Sequence, residues 1–498
     1  MWPFVLAAAV IEVGWIVVCA AALPLTESYD FSAAMLGQTG ELWTWAIPLR
    51  RVPSSVPATW LVAGLVLVTL GYLVALWLQY RGRGRLSEGW IIGLTLMFMV
   101  TLLLMPGLLS SDVLAYIAFG REAAQAGINP YLTSPWDAIA FGPQHASPYG
   151  PLWTDLSVAL ARLTSQQPML QQALAYRVLG AAAHLVNCFL IARLVANDGV
   201  ETRRFAVLLY AWNPLALLEL VGSAHNDGLM LTFVLLGLWL LKGGSRWWLA
   251  LAAIWLGALV KWVPAVLVVC LGIVWLQSFP RWRSKLVWMA VTAAGLLVLT
   301  LVLFGPWIAL QDPPALLTSA SAGGERYVNA LVDLPTTYIA VRWVDPHGHD
   351  LQAAESAIRA WAAMLVRAAF ALYVAIELVH LWRARADVRT SVETATRILL
   401  VALLLVFTQV LPWYFVWPLT LGVVLGLGSA VGMLAVAYSV VYLPVFYALH
   451  ENLLPSSYVA PVLLAYVLLP LALLCGRAVV RALAAPDRAR AVDVAFRA

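Results

Sequence analysis

The sequence predicts an all-α polytopic membrane protein with about 14 transmembrane or half-membrane helices. Of its 498 residues, 63% are hydrophobic and only 11% are charged, whereas a soluble globular domain carries about 25% charged residues. The apolar residues are collected into segments close to bilayer-spanning length, and short connections separate most of these segments. Lipid is therefore the expected solvent for most of the chain, and nothing in it resembles the basic domain of a nucleic-acid-binding protein.

The candidate helices follow one another along nearly the whole chain. The first contains Glu12 and lacks a basic start or a small-residue cleavage site, so we expect a retained helix rather than a signal peptide. Residues 247–276 allow one broken helix or two short ones; we favour a hairpin with Lys261 at its tip, and Pro412 marks a second tip. The predicted helices occupy residues 2–23, 59–78, 90–109, 170–194, 205–222, 228–241, 247–260, 263–276, 286–304, 357–382, 397–411, 413–427, 430–449 and 459–476.

The basic residues predict the orientation of these helices. Cytoplasmic connections carry the excess of Lys and Arg, and most of the 30 basic residues here fall in alternate connections. This alternation predicts a multi-pass protein of the cell membrane with both termini in the cytoplasm. We expect one integral membrane domain, residues 1–476, followed by a basic cytoplasmic tail, residues 477–498. The tail contains Arg477, Arg481, Arg488, Arg490 and Arg497.

Two outer connections, residues 110–169 and 306–356, are far longer than ordinary loops. The first contains good helix formers from Asp112 to Gln125, with apolar residues at helical spacing, and Gly127 follows that stretch. This pattern predicts an amphipathic helix on the outer membrane surface. We therefore expect the functional residues at the outer ends of the helices.

Five segments near those ends carry polar or aromatic residues with chemical potential. In the first, Asp112 follows Ser110 and Ser111 at the end of an apolar helix. It can belong to a helix cap, or its carboxylate can act as a general base toward a hydroxyl. The second segment, residues 147–153, combines two prolines and a glycine with aromatic residues. It can be a rigid structural turn or a surface for a sugar.

The third segment holds His225, Asn226 and Asp227 at a junction of two helices. Asn226 or Asp227 can cap the second helix, or the free backbone N–H groups and His225 can hold an anion. In the fourth, Lys261 stands alone among apolar residues, so its ammonium snorkels, pairs with a carboxylate or binds a phosphate. The fifth, residues 411–418, is rich in aromatic residues, as an interfacial belt would be.

Other polar residues point to structure rather than chemistry. Arg177, His184 and Asn187 can share one helix face, and we expect them to be structural. No Asp-x-Asp or Glu-x-Asp pair occurs in the sequence, so we expect neither a bound metal nor another cofactor.

Taken in order, the five segments resemble a known family. The residues that carry the resemblance are Asp112-Val113-Leu114-Ala115-Tyr116 leading to Gly127-Ile128-Asn129-Pro130-Tyr131, then Ser147-Pro148-Tyr149-Gly150-Pro151-Leu152-Trp153, His225-Asn226-Asp227, Lys261-Trp262-Val263-Pro264 and Pro412-Trp413-Tyr414-Phe415. The set is similar to the polyprenol-phosphate-mannose-dependent α-mannosyltransferases of bacterial envelope synthesis, which belong to the GT-C superfamily of membrane glycosyltransferases.

The resemblance implies transfer of a sugar, commonly mannose, from a polyprenyl monophosphate to a hydroxyl of an envelope glycan or glycolipid on the outer face, with inversion. It implies that Asp112 is the general base. The remaining expected contacts are Lys261, Arg121 and His225 for the donor phosphate, and Tyr116, Tyr149, Asn226, Asp227, Trp413 and Tyr414 for the donor or acceptor.

Two other readings of the sequence stay open. A lipid or solute transporter, such as a flippase, would also contain broken helices and intramembrane charges. Against it, the two halves show no repeat, and the polar residues gather near the outer boundary rather than at the midplane. The same fold could instead use another polyprenyl-linked sugar.

Overall fold

The computed structural model confirms the all-α class. It describes residues 2–28, 55–82, 86–132, 147–164, 166–243, 246–308, 331, 333–339 and 351–495, and within these ranges the chain forms helices and turns without a β-strand. The predicted outer loops are therefore described only in part, since residues 133–146 and most of 309–350 lie outside the described residues. Residues 496–498 of the predicted tail lie outside them as well.

The α-helices are numbered here in chain order. They are α1 (Trp2–Ser28), α2 (Ser55–Tyr80), α3 (Glu88–Leu103), α4 (Asp112–Arg121), α5 (Pro151–Thr164), α6 (Met169–Leu194), α7 (Val200–Ala211), α8 (Pro214–Leu217), α9 (Asp227–Leu241), α10 (Trp247–Ala258), α11 (Ala265–Gln277), α12 (Trp282–Phe304), α13 (Asp333–Ile339), α14 (Leu351–Arg383), α15 (Val388–Val401), α16 (Val416–Leu425), α17 (Ala430–His450) and α18 (Ser456–Ala495).

Three helices continue into a π-helical turn. The turns are Glu122–Ala126 after α4, Leu218–Gly222 after α8 and Ala402–Val406 after α15. A π-turn adds one residue to the helical repeat and is common at functional sites. The turn Leu218–Gly222 matters most here, because it leads directly into the predicted segment at His225.

The described helices include seven that are long and apolar enough to cross a membrane. The pair formed by α7 and by α8 with its π-turn is bent by 51° and is either an eighth, broken span or a re-entrant loop. Five shorter apolar helices of 10–17 residues accompany them. These helices confirm a polytopic membrane protein, while the predicted total of about 14 remains a prediction. The helix expected from Asp112 is present as α4 with its π-turn. Most residues of α4 are buried against the rest of the bundle, and its predicted place on the outer membrane surface stays a prediction.

Two predicted helices had wrong limits. The helix expected over 397–411 begins nine residues earlier, because the Asp387 side chain accepts a hydrogen bond from the Thr390 backbone N–H at 2.8 Å and caps α15. It then ends in the π-turn at Val406. The last helix does not stop near residue 476, since α18 continues to Ala495 without a break.

The buried centre of the molecule is formed by the bent α7–α8 pair and its neighbours. Trp212 and Leu217 have no exposed surface, and Asn213 between them caps α8 by accepting from the backbone N–H of Leu215. In contrast, α12 contains no buried residue at all. Helices of this kind need lipid or a partner around them, in keeping with a membrane setting.

Candidate functional site

The five segments singled out in the sequence meet at one end of the helix bundle. Asp112 opens α4, His225 lies between the π-turn Leu218–Gly222 and α9, and Lys261 lies in the turn between α10 and α11. Tyr149 lies in the turn before α5, and its ring is 5.0 Å from that of Tyr116 on α4, so the second segment also reaches this site. The fifth segment enters as the 3₁₀ turn Pro412–Phe415, whose Trp413 ring stacks on His225.

Asp112 presents its carboxylate to the site instead of capping its own helix. The hydroxyl of Ser110 accepts a hydrogen bond from the Asp112 backbone N–H at 3.3 Å, and Ser111 makes no side-chain cap. The Asp112 carboxylate lies 3.3 Å from Nδ1 of His225, and 24% of its side chain is exposed. The carboxylate is thus free to meet a substrate.

His225 is buried between two carboxylates. Its Nδ1 faces Asp112, and its Nε2 lies 3.2 Å from Oε2 of Glu219, whose side chain is as inaccessible as the imidazole. The Trp413 ring covers one face of the imidazole, with centroids 3.9 Å apart. Ala224, just before His225, has a φ of 58°. Residues other than glycine rarely adopt this conformation, and it often marks a functional turn.

The two carboxylates set the protonation of this group. Burial favours the neutral imidazole, but Asp112 and Glu219 outweigh it and raise the pKa of His225 to about 9. Burial likewise favours a neutral Asp112, but the hydrogen bond and charge of His225, with the charge of Lys261, hold the pKa of the Asp112 carboxyl below its usual range. At neutral pH the group therefore contains an imidazolium beside an ionised Asp112.

Lys261 forms a second charged group in the same site. Its Nζ donates to both carboxylate oxygens of Asp227, at 3.0 and 3.1 Å. The indole N–H of Trp417 donates to the same carboxylate at 2.5 Å. The ammonium also lies 5.1 Å from the Tyr414 ring centroid, within range of a cation–π contact. Lys261 keeps 16% of its side chain exposed, while Asp227 is fully buried.

The turn before α5 fixes the position of Lys261. The backbone N–H of Gly150 donates to the carbonyl of Val260, and that of Leu152 donates to the carbonyl of Leu259, both at 3.0 Å. A Cβ atom on residue 150 would lie only 2.1 Å from the Leu259 carbonyl oxygen, so this close approach requires glycine. The residue types of the 147–153 segment thus serve to hold the lysine turn.

Arg177 joins the segments that carry Asp112 and His225. Its buried guanidinium donates to the carbonyls of Met105 and Gly107, ahead of Asp112, and to the carbonyl of Gly222, ahead of His225. The bonds from Nε to Gly222 and from Nη1 to Met105 measure 2.8 and 2.6 Å. This arrangement agrees with the structural role expected for Arg177 and shows which two segments it connects.

Aromatic and amide side chains complete the site. Tyr116 is buried, its ring meets Tyr149 edge to face, and its hydroxyl accepts from the backbone N–H of Asn226 at 3.5 Å. The Asn226 side-chain amide is buried with no hydrogen-bond partner among the described residues. Tyr149 and Tyr414 remain partly exposed, so these two rings form the accessible part of the aromatic surface.

Arg121 does not join this group in the structure. It ends the helix that Asp112 begins, about 13 Å further along at 1.5 Å per residue.

Glu219, in contrast, lies in the site although it was not predicted from the sequence. The available signal was a single carboxylate in the apolar stretch 214–222, because an ionisable residue in such a stretch is a functional candidate by default. Within the described residues, no group of three or more His, Cys, Asp or Glu is suited to hold a metal ion.

Comparisons with known proteins place this site in a family context. A family model described as "Alpha-(1->6)-mannopyranosyltransferase, N-terminal domain" matches residues 15–277. That range contains Asp112, Glu219, His225 and Lys261, and it ends before Trp413.

Individual relatives carry the same description. A probable alpha-(1->6)-mannopyranosyltransferase of Mycolicibacterium smegmatis is 28% identical over 210 residues, which are 39% of this chain and 36% of that protein. Alpha-(1->6)-mannopyranosyltransferase B of Corynebacterium glutamicum is 25% identical over 36% of this chain and 34% of that protein. Alpha-(1->6)-mannopyranosyltransferase A of Mycobacterium tuberculosis is 25% identical over 419 residues, 78% of each chain.

The first two of these matches span only about a third of the relatives' own lengths. No solved structure matches the chain significantly. The family model, however, covers more than half of the 498 residues. On this ground, the chain belongs to the alpha-(1->6)-mannopyranosyltransferase family.

Proposed function

We propose that the protein is an inverting membrane mannosyltransferase of the GT-C type. The acceptor hydroxyl oxygen attacks the anomeric carbon, the bond from that carbon to the phosphate oxygen breaks, and the polyprenyl phosphate leaves with the electron pair. Asp112 takes the proton of the hydroxyl. Names of the relatives support mannose as the sugar, and the polyprenyl monophosphate donor follows from the family resemblance.

One observation carries this proposal: Asp112 is the accessible member of a buried charged group. Among Asp112, His225 and Glu219, the first alone has an exposed side chain. A general base must come within hydrogen-bond distance of the proton that it removes, which favours Asp112 over the covered imidazole. The ionised state of Asp112 also leaves it ready to accept a proton at neutral pH.

Lys261 is our candidate for the donor phosphate. An ammonium has three N–H donors, and Asp227 takes two of them, so one is left for a phosphate oxygen. Fixed positive charge is needed where the negative charge of the leaving phosphate develops. The geometry supports Lys261 ahead of His225, which is buried, and ahead of Arg121, which lies further along α4.

The remaining site residues fall into two roles in this proposal. Tyr149 and Tyr414 are partly exposed and would contact the sugar of the donor or the acceptor, together with Trp413, which is buried against His225. Tyr116 and Asp227 are buried behind them and would hold the contacting residues in place. The buried amide of Asn226 would bind a hydroxyl that reaches the N-terminus of α9.

We further propose that this site lies on the outer face of the cell membrane, with both termini in the cytoplasm. The distribution of Lys and Arg supports this orientation. Labelling of single cysteines by a membrane-impermeant maleimide tests it, after Cys475, which is exposed, is changed to Ser. Labelling of intact cells at Leu163→Cys but not at Gly243→Cys is expected, and the reverse pattern would overturn the orientation.

The decisive experiment is mannosyl transfer by the purified chain from polyprenyl-phosphate-mannose to a short mannoside. Asp112→Asn should lower kcat by about 100-fold or more, the typical contribution of a general base. Asp155→Asn is the matched control, because this carboxylate lies on α5 and binds Trp307 at 2.8 Å, outside the site. Full activity of Asp112→Asn would remove it as the base. No transfer by the native chain would turn attention to other sugars and to lipid transport.

A further inference from the structure

Glu219 is a buried carboxylate that neither the sequence reasoning nor the proposed reaction uses. Its side chain has no exposed surface. It occupies the π-turn Leu218–Gly222, and the backbone N–H of His225 donates to the Glu219 carbonyl at 3.0 Å. The π-turn therefore brings the Glu219 carboxylate and the His225 ring to the same place.

The contacts of Glu219 link Tyr447 to His225 and, through the imidazole ring, to Asp112. The Tyr447 hydroxyl donates to its Oε1 at 3.3 Å, and its Oε2 lies 3.2 Å from His225 Nε2. The opposite edge of the same imidazole faces Asp112 at 3.3 Å. The stacked Trp413 ring limits tilting of the imidazole, so the ring can rotate only if it leaves both carboxylates.

A purely structural role explains this arrangement poorly. Glu219 is a fully buried carboxylate beside a buried imidazole, and a buried charged group costs several kcal/mol unless contacts compensate it. An apolar residue at position 219 would avoid that cost, since well-packed apolar side chains often replace buried charged groups without loss of stability. The Glu219 carboxylate instead faces the His225 imidazolium, whose positive charge it complements.

We propose that Glu219 is a positioning residue for the transfer, which orients the His225 imidazole against Asp112 from the edge opposite the substrate. The inference rests on the proposed role of Asp112 as the base. Glu219 does not touch the reacting atoms. It acts through His225, whose Nδ1 lies 3.3 Å from one oxygen of Asp112 and leaves the other oxygen for the acceptor hydroxyl.

The proposed role of Glu219 predicts how the protonation of His225 depends on pH. With Glu219 present, the pKa of His225 is raised to about 9, so the imidazolium is lost only as the pH rises through that value. Without the Glu219 charge, the imidazolium is less stabilised and is lost at lower pH. The charged or titratable groups that face the site from its other elements are Asp112, Tyr116, Tyr149, Asp227, Lys261, Tyr414 and Tyr447.

Glu219→Gln tests the inference, because it keeps the size of the side chain and an acceptor for Tyr447 but removes the charge. We expect kcat to fall about tenfold with the donor KM changed less than about twofold, and the basic limb of the pH–kcat profile to move down by about one unit. Glu219→Asp keeps the charge but shortens the side chain and draws the carboxylate back from His225, so its basic limb should lie about midway between those of the native chain and of Glu219→Gln. The matched control is Glu12→Gln, because the Glu12 carboxylate on α1 accepts a hydrogen bond from Thr101 on α3 instead of pairing with His225. This variant should leave the profile unchanged.

The outcomes separate this inference from the proposed function. A wild-type pH profile and kcat in Glu219→Gln, alongside an inactive Asp112→Asn, would overturn the role of Glu219 and keep Asp112 as the base. Full transfer by Asp112→Asn would overturn both. If Glu219→Gln does not fold, as judged by thermal unfolding in detergent, then Glu219→Asp decides. A basic limb of Glu219→Asp that lies between that of the native chain and that expected for Glu219→Gln supports the role. A basic limb and a kcat equal to those of the native chain overturn it.

Discussion

The two ends of the helix bundle use charged residues in opposite ways. At the site end, Glu219, His225 and Asp227 have fully buried side chains. At the opposite end, where α3 and α7 begin, Arg203 pairs with Glu88 at 2.5 Å, but 31% and 34% of these side chains are exposed. Exposed pairs contribute roughly 0–1 kcal/mol, whereas buried charges cost much more to keep.

This difference indicates where function has shaped the molecule. A fold that needed only stability would not bury the Glu219 carboxylate beside a buried imidazole, since well-packed apolar residues of similar size are often as stable or more so. The exposed pairs are compatible with ordinary solvation of helix ends. Substitutions at the two ends should therefore differ greatly in effect, and three variants, taken from the largest effect to the smallest, examine that contrast.

Arg177→Met should have the largest effect. It leaves three buried backbone carbonyls without their donor, those of Met105, Gly107 and Gly222. An unsatisfied buried group costs about 1–3 kcal/mol, so we expect a loss of about 3 kcal/mol or more, seen as a lower Tm in detergent. Arg193→Met on the same helix is the control, because Arg193 is exposed and should change stability by less than about 0.5 kcal/mol. Equal effects of both substitutions would contradict the clamp described for Arg177.

Removal of the Lys261–Asp227 pair should have an intermediate effect. We expect it to change the binding of the donor rather than the stability of the protein. Combining Lys261→Met with Asp227→Asn removes both charges, so neither is left unpaired in the interior. We expect the donor KM to rise at least tenfold, or about 1.4 kcal/mol. Asp227→Asn alone keeps the ammonium and serves as the comparison. An unchanged donor KM in the double variant would remove Lys261 from the phosphate site.

Arg203→Gln should have the smallest effect. It breaks the pair with Glu88, yet both side chains reach solvent. We expect less than about 1 kcal/mol in stability and unchanged transfer kinetics. A loss as large as that of Arg177→Met would show that the opposite end is not merely solvated, and the contrast between the two ends would fail.

Much of the fold was open to prediction from the sequence, because long apolar helices are dictated by composition. The expected helix after Ser111 is present, although most of it is buried rather than amphipathic, and the five polar or aromatic segments come together. They were found because polar groups near a bilayer boundary are costly and stand out against apolar neighbours. The resemblance then supplied the order in which those segments act, which no single motif would have given.

The parts that escaped prediction depend on contacts between distant residues. Glu219 meets His225 through a π-turn, and a sequence pattern at the ordinary helical repeat does not reveal such a turn. The start of α15 was missed because its charged first turns looked like a loop, although the cap at Asp387 begins a helix there. The predicted position of Arg121 near the phosphate relied on closeness in sequence to Asp112, whereas the helix carries it away.

The backbone bonds between Gly150 and Val260 imply an order of assembly for the site. These residues are about 110 positions apart in the chain, and chains fold from the N-terminal side during synthesis. The turn that holds Lys261 therefore has to wait until α6 to α10 have been inserted before it can find Gly150. The proposed site is therefore completed late, and until then a nascent chain would have Asp112 without Lys261.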